Sequence, residues 1–146
     1  WITSGSDGSP PGCRPRTKAR TMPMSTSAAT PTAMAFIKNI DHETVLNLAD
    51  QIHAEPGQIV SKTLAQNPYV SLTLFAFSKG EEISTHDSKG DAMVLVLEGT
   101  GKFTVGGKEH LVAAGETLVM PATIPHAVYA QEDFKMLLTV VFPVEK

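Results

Sequence analysis

The chain has no arginine beyond residue 20. Residues 36–146 contain 8 lysines against 14 acidic residues, which gives this part of the chain a net charge of −6. Arginine is the side chain that most often binds carboxylates, phosphates and nucleic-acid backbones. Nucleic acids and nucleotide-sugars are therefore poor candidates for partners of this acidic segment.

Cysteine and long apolar runs are also scarce. The one cysteine, Cys13, precedes the segment expected to fold, so that segment has no disulfide, thiolate metal ligand or cysteine nucleophile. No stretch approaches the ~20 apolar residues of a membrane-spanning helix, and none resembles the apolar core of a secretory signal. These absences predict a cytoplasmic protein that has no membrane partner.

The first 35 residues differ in composition from the rest of the chain. Gly, Ser, Thr, Pro and Ala dominate them, and such a segment cannot bury enough apolar surface to offset its ordering entropy. Residues 1–35 are therefore predicted to be a disordered leader or an artefact. Their basic, acid-poor composition leaves a transit peptide, and with it an organellar location, as an alternative. Residues 58–146 are predicted to form one domain.

Residues 36–57 are predicted to form a short N-terminal arm, either helical or extended, with a short helix favoured. Asp41 is a suitable N-cap, and the apolar residues of Val45–Ile52 recur at helical spacing. Gly57 then ends the run.

From residue 58 onward the pattern is one of short strands separated by glycine and proline. Tyr69–Phe77 alternates between two faces, and Met93–Leu97 is apolar at every position, which predicts burial of both its faces. Gly106-Gly107 predicts a tight hairpin. The other predicted strands are Ile59–Leu64, Phe103–Val105, Glu109–Val112, Thr117–Met120, His126–Ala130 and Met136–Phe142. Short strands with no helix between them predict an all-β antiparallel sandwich or barrel.

A first glycine-bounded block runs from Gly80 through His86 to Gly99. It resembles the first motif of the cupins, small jelly-roll barrels built as an antiparallel double-stranded β-helix. That motif has a second His two residues after the first and a Glu further on. In this chain Ser88 stands at the second His position and Ala92 at the Glu position.

A second block resembles the second cupin motif. Gly115, Pro121 and His126 match it, whereas Thr123 replaces a Gly and Ala130 replaces an Asn. The resemblance covers about residues 58–144 and implies the fold of a small single-domain, RmlC-like cupin whose metal motif is degenerate.

The resemblance also implies a divalent ion inside the barrel, such as Mn, Fe, Ni or Zn, held by three His and one Glu. Only His86 and His126 retain suitable donors at those positions. Asp91 is a candidate third ligand, which would complete a 2-His-1-carboxylate set if a kink at Gly90 turned its carboxylate inward. Strand alternation favours a different role, a turn residue, because neighbours at 91 and 92 point to opposite faces.

His86 and His126 are expected to line an apolar pocket in the barrel, together with Ser88, Ala92, Met93, Met120, Phe75 and Phe77. Two functions remain open. One is a metal-assisted enzyme acting on a small, neutral or weakly polar molecule. The other is a metal-free small-molecule binder or sensor. A further alternative is a catalytically inert dimeric cupin, in which the histidine pair serves only packing. A homodimer is expected from strands that are apolar on both faces and from the resemblance.

Overall fold

A computed structural model describes residues 35–144, which form nine strands and one turn of 3-10 helix. The predicted leader thus lies outside the described residues except for residue 35. The strands are β1 (Ile59–Gln66), β2 (Val70–Phe77), β3 (Glu82–His86), β4 (Asp91–Glu98), β5 (Thr100–Val105), β6 (Lys108–Ala113), β7 (Thr117–Met120), β8 (His126–Ala130) and β9 (Phe134–Val141).

The strands form two antiparallel sheets. One has five strands in the order β1-β2-β9-β4-β7, and the other has four in the order β3-β8-β5-β6. Gly106 and Gly107 connect β5 to β6 with φ angles of 58° and 85°, as a tight hairpin requires. The predicted all-β jelly roll and its hairpin are therefore confirmed.

The main core is enclosed between the two sheets. Its fully buried side chains include Phe77 and Phe134, whose rings stack with their centroids 4.7 Å apart. The buried members of this core are Phe75, Phe77, Ala92, Val94, Val96, Phe103, Val112, Met120, Val128, Ala130, Phe134, Met136, Leu138 and Val140. Along a strand every second side chain points into this core, because successive side chains of a strand point to opposite faces of the sheet.

A second, smaller core lies on the outer side of the five-stranded sheet. Strand β2 is buried on both faces, because Phe75 belongs to the main core whereas Leu74 belongs to the outer one. Ile52 of the N-terminal arm covers this outer core together with Leu64 of β1. Burial of these side chains holds the arm against the sheet.

The arm is mainly irregular and does not form a helix from Asp41. Helical structure is limited to one 3-10 turn, Leu48–Gln51, and its N-cap is Asn47, whose side chain accepts a hydrogen bond from Ala49 N. Glu43, two residues after the expected N-cap, has a left-handed φ of 57° that interrupts a helix.

Side chains of the barrel hold this 3-10 turn by its carbonyl groups. Lys135 Nζ donates to the carbonyl of Ala49 at 2.7 Å, and Lys62 Nζ donates to that of Gln51 at 3.2 Å. In a longer helix these two carbonyls would accept hydrogen bonds from N–H groups of the helix itself. Here the two lysine side chains satisfy them instead. The arm takes its conformation from the sheet surface rather than from helical periodicity.

Strand β4 alternates between buried and more exposed residues, which contradicts the expectation that both its faces are buried. Ala92, Val94 and Val96 are buried, whereas the Met93 side chain is 44% exposed. Leu97 is covered partly by the outer core, but the arm does not extend over Met93. Within residues 35–144, no helix is long and apolar enough to cross a membrane.

Candidate functional site

The two motif histidines meet at one end of the four-stranded sheet. His86 ends β3, His126 begins β8, and the two residues are direct partners across the strand pair. Their ring centroids are 4.5 Å apart, and the ring planes cross at 74°. Residues directly opposite each other in an antiparallel pair point to the same face. The structure therefore brings together the two imidazoles that the motifs single out.

An irregularity in β3 puts His86 on the inner face. Ile83 pairs with Val128 and His86 pairs with His126, so three steps along β3 match two steps along β8. This is the geometry of a β-bulge, in which one extra residue is accommodated in one strand. Without it, alternation would place Ile83 and His86 on opposite faces. The bulge places both on the side of Val128, which is part of the main core.

Backbone carbonyls orient both imidazole rings. His86 Nδ1 lies 2.8 Å from the carbonyl oxygen of Ser84, and His126 Nδ1 lies 3.1 Å from that of Ile124. A carbonyl oxygen can only accept, so each Nδ1 carries the hydrogen and donates it. In the neutral ring, Nε2 is then the basic nitrogen, and both Nε2 atoms are buried.

Burial keeps the two rings uncharged near neutral pH. Desolvation lowers the pKa of His86 below its ordinary value of 6.5, and the hydrogen bond to the Ser84 carbonyl opposes this effect only in part. Desolvation also lowers the pKa of His126, which is 1% exposed, and the charge of a protonated His86 would lower it further. The pair is therefore poised to accept hydrogen bonds or protons.

Asp91 does not join the histidine pair. Its Oδ1 accepts a hydrogen bond from the Ala122 backbone N–H at 2.7 Å, so its carboxylate holds the turn before His126. Among residues 35–144, no three His, Cys, Asp or Glu side chains are grouped closely enough to hold a metal ion. The Asp91 carboxylate is thus engaged with the turn at 121–125 rather than with the imidazoles, and Asp91 itself is the first residue of β4 rather than part of the turn expected at 89–91.

The two positions that lack their motif ligands are buried. Ser88 is 8% exposed, and its Oγ accepts a hydrogen bond from Gly90 N at 3.1 Å. Ala92 is fully buried, and it pairs with Met120 in β7 and with Val140 in β9. Neither residue adds a donor of the kind that a tightly held divalent ion needs.

Most of the predicted lining residues face the interior. Phe75, Phe77, Ala92 and Met120 all belong to the main core, whereas Met93 points outward and is not a lining residue. Two cavities, of about 450 and 410 Å³, are lined by neither imidazole. The first lies on the outer face of the four-stranded sheet, and the second lies between β6 and β7.

The residues present fit a resident divalent ion poorly. Metal-binding catalytic sites usually supply about three protein ligands, and this site brings two imidazoles together without a third donor. The Nδ1–H bonds to carbonyl groups are nevertheless the arrangement that orients metal-binding histidines. The donor count, rather than the orientation of the rings, is what argues against a tightly held metal.

One residue of the site was not identified from the sequence. Thr123 has a left-handed backbone with φ of 67°, and its N–H donates to the Ser88 carbonyl at 2.8 Å. The signal was available, because Thr123 stands where the second motif has a glycine, the residue best suited to that backbone angle. The roles of the Ser84 and Ile124 carbonyls could not be recognised from the sequence, because every residue has a backbone carbonyl.

Comparisons with known proteins agree with this architecture. The cupin domain family matches residues 73–142. A conserved protein of unknown function from Streptococcus pyogenes is 47% identical, with a TM-score of 0.75 and coverage of 77% of this chain and 99% of its own. A cupin superfamily protein from Desulfitobacterium hafniense is 33% identical, with a TM-score of 0.72 and coverage of 75% and 100%.

A Cupin 2 conserved barrel domain protein from Leptotrichia buccalis is 47% identical, with a TM-score of 0.64, and the match covers 66% of this chain and 47% of that one. A comparison with curated proteins finds no match. The motifs, the jelly roll and two of these relatives over almost their full length lead to one conclusion: the chain belongs to the cupin superfamily.

Proposed function

We propose that this protein binds a small, neutral or weakly polar molecule at His86 and His126 and that it does so without a resident metal. The observation that carries the proposal is the pairing of two uncharged imidazoles on one face, His126 buried and His86 half-buried, each oriented through its Nδ1 by a backbone carbonyl. Such a pair offers two basic nitrogens in a fixed relation before any ligand arrives, which lowers the ordering cost of binding.

The chemistry of the site favours ligands that donate hydrogen bonds. Hydroxyl, amide or amine groups of a ligand would donate to the Nε2 atoms of the two rings. The absence of arginine beyond residue 20 argues against an anionic ligand such as a phosphate ester. A neutral imidazole could also take a proton from a bound molecule, so binding is compatible with acid–base catalysis.

A metal-assisted enzyme is the second candidate, and one observation favours it. Each Nδ1 donates to a backbone carbonyl, and this bond orients the other ring nitrogen, Nε2, as in histidine metal sites. A bound divalent ion would supply a Lewis acid or an oxygen-activating centre. Two protein donors are few for this role, so the metal-free binder is the better supported function.

Metal analysis of the full chain, purified without a histidine tag, distinguishes the two candidates. We expect well under ~0.1 metal ion per chain after exposure to Mn, Fe, Ni and Zn followed by dialysis, because two imidazoles alone hold a divalent ion weakly. Metal bound at close to one ion per chain, and lost in His126→Ala, would contradict the proposal and support the enzyme.

A ligand screen tests the binding itself. Ligand-observed NMR with a library of small neutral alcohols, phenols and amides should find binders of the wild-type chain whose signals are lost in His126→Ala. His110→Ala is the matched control, because His110 lies on β6 and outside the pair. A library without binders, or binders that both variants retain, would contradict the proposal.

We also propose that a second copy of the chain covers the outer side of β4 and β7. Met93 and Val119 are direct partners there, and with the nearby Val141 they are 44%, 49% and 58% exposed. The three side chains are apolar, and the one acidic residue beside them among residues 35–144 is Asp91, opposite Val141. Its carboxylate already accepts from Ala122 N, so a two-fold contact centred on Met93 and Val119 would bury mainly apolar surface. A cytoplasmic location stays a prediction.

A further inference from the structure

Hydrogen bonds join the segment after His86 to the turn before His126. They involve Ser88, at the second His position of the first motif, and Asp91, which precedes the Glu position. Asp91 Oδ1 accepts from Ala122 N at 2.7 Å. The Ser88 carbonyl accepts from Thr123 N at 2.8 Å, and Ser88 Oγ accepts from Gly90 N at 3.1 Å. We call the bonds that Asp91 and Ser88 accept from Ala122 and Thr123 the loop clamp.

The clamped turn needs this external support. Thr123 has φ of 67°, a left-handed angle that costs a β-branched residue free energy and persists only where surrounding contacts fix it. Within the turn, Ile124 N donates to the Pro121 carbonyl across 3.3 Å, the long end of hydrogen-bond geometry. The two bonds of the loop clamp constrain the first part of this turn, and a bond from Gly106 N to the Pro125 carbonyl at 2.8 Å holds its end.

The turn controls His126 through one carbonyl group. Ile124 provides the oxygen that accepts the hydrogen from His126 Nδ1 at 3.1 Å, so a displaced turn would displace this acceptor. His86 depends on a different carbonyl, that of Ser84 in the bulge of β3. Each ring thus has its own carbonyl acceptor, and only the acceptor of His126 belongs to the clamped turn.

We propose that Asp91 is a positioning residue that fixes the orientation and tautomer of His126 through the turn Pro121–Pro125, so that a hydrogen-bonded clamp, not a metal, organises this half of the site. This inference adds a positioning residue to the proposed binding site, and the role of that positioning in binding rests on the proposed function. Its test requires no ligand, so a failed ligand screen and a failed clamp experiment are separate results.

The test is the tautomer of each histidine in the full chain, read from the ring nitrogens by long-range ¹H–¹⁵N NMR at neutral pH. In the wild type we expect the Nδ1–H form to predominate in both rings. In Asp91→Ala the share of the Nε2–H form should rise about fivefold for His126, the change expected when one ordinary hydrogen bond is lost. His86 should keep its Nδ1–H form, because the Ser84 carbonyl still accepts from it, and its tautomer provides an internal control.

Two further variants separate positioning from general loosening. Asp91→Asn keeps an oxygen acceptor for Ala122 N and should restore the wild-type His126 signals. Asp133→Ala removes an equivalent bond elsewhere, because Asp133 Oδ1 accepts from Lys79 N at the same 2.7 Å, and it should leave both rings unchanged. The inference is overturned if Asp91→Ala leaves His126 as in the wild type, or if Asp133→Ala shifts His126 equally.

A fallback keeps the test decisive if Asp91→Ala does not fold. Asp91→Glu retains the charge but lengthens the side chain by one methylene group, which displaces the acceptor from Ala122 N. We expect the His126 signals alone to shift in the same direction as in the alanine variant. Unchanged His126 signals in a folded Asp91→Glu chain would also overturn the inference.

Discussion

At the scale of single residues, Thr123 carries backbone strain next to the histidine pair. Its φ of 67° costs roughly 1–2 kcal/mol for a residue that has a Cβ atom. Glycine adopts this angle freely, although it loses about 0.5–1 kcal/mol through the greater entropy of the unfolded chain. We expect Thr123→Gly to raise the free energy of unfolding by about 0.5 kcal/mol, measured by urea denaturation.

The control for this prediction is a threonine in ordinary extended backbone. Thr117 begins β7 and is exposed, and Thr117→Gly should lower the free energy of unfolding by roughly 0.5–1 kcal/mol. If both glycine variants are destabilised to the same extent, strain at position 123 is not the determining factor.

The two desolvated imidazoles should make stability depend on pH. Their pKa values are lowered in the folded chain from the ordinary value of 6.5, so the unfolded chain binds protons more readily. Their contribution is complete above about pH 6.5 and is lost as the pH falls through the folded-state pKa values. We expect a smaller free energy of unfolding at about pH 5 than at about pH 7.5.

Replacing one ring should weaken this pH dependence. His126→Gln cannot take up a proton, so the difference in unfolding free energy between the two pH values should shrink. His110→Gln, on β6, should leave the difference as in the wild type. An undiminished difference in the His126 variant would show that other groups cause the acid sensitivity.

At the scale of elements, Ile52 is the most buried large apolar residue of the N-terminal arm, and Ile40, Leu48 and Ala54 pack beside it on the outer core. Ile52 is 6% exposed and packs in the outer core, whereas Val45, in the same arm, is fully exposed at 101%. Ile52→Ala should lower the free energy of unfolding by about 2 kcal/mol, the low end for a buried aliphatic truncation, because an edge cavity can partly collapse. The same variant should speed hydrogen exchange in the arm.

Val45→Ala is the matched control and should change neither quantity. The histidine signals should stay the same in both variants, because the outer core lies on the opposite side of the five-stranded sheet from the main core. Slower exchange in the arm of Ile52→Ala, or equal destabilisation by Val45→Ala, would contradict this role for Ile52.

Strands with a clear period and flanking turns could be predicted from the sequence. Thr117–Met120 and His126–Ala130 have the predicted bounds, and Gly106-Gly107 forms the predicted hairpin. Strand β3, Glu82–His86, was not predicted as a separate strand because Ile83 is its only large apolar residue. Local patterning is informative where alternation is strong, and it fails where an edge strand is polar.

The parts that could not be predicted depend on contacts distant in sequence. The bulge that turns His86 inward appears only when β3 pairs with β8. Asp91 bonds Ala122, 31 positions away, rather than joining the imidazoles. The arm takes its shape from lysines of the barrel, and Met93 is exposed because the arm ends short of it. Tertiary contacts override local preference in each case.

At the scale of the whole molecule, the uncharged patch on β4 and β7 predicts the oligomeric state. Light scattering after size exclusion should give a dimer for the wild type and a monomer for Val119→Lys, because a two-fold contact would bury two copies of the new charge. Leu111→Lys is the control: Leu111 is 61% exposed on the other sheet, and this variant should remain dimeric. A monomeric wild type would refute the proposal.

The dependence of both rings on main-chain oxygens has a consequence for engineering. Because Ser84 and Ile124 act through their carbonyls, their side chains can be exchanged without removing the groups that aim the imidazoles. The surroundings of the pair could therefore be rebuilt for new small molecules while its geometry stays in place. Homologues could likewise differ at positions 84 and 124 and still orient the two imidazole rings in the same way. A comparison of side chains alone would not reveal this shared orientation.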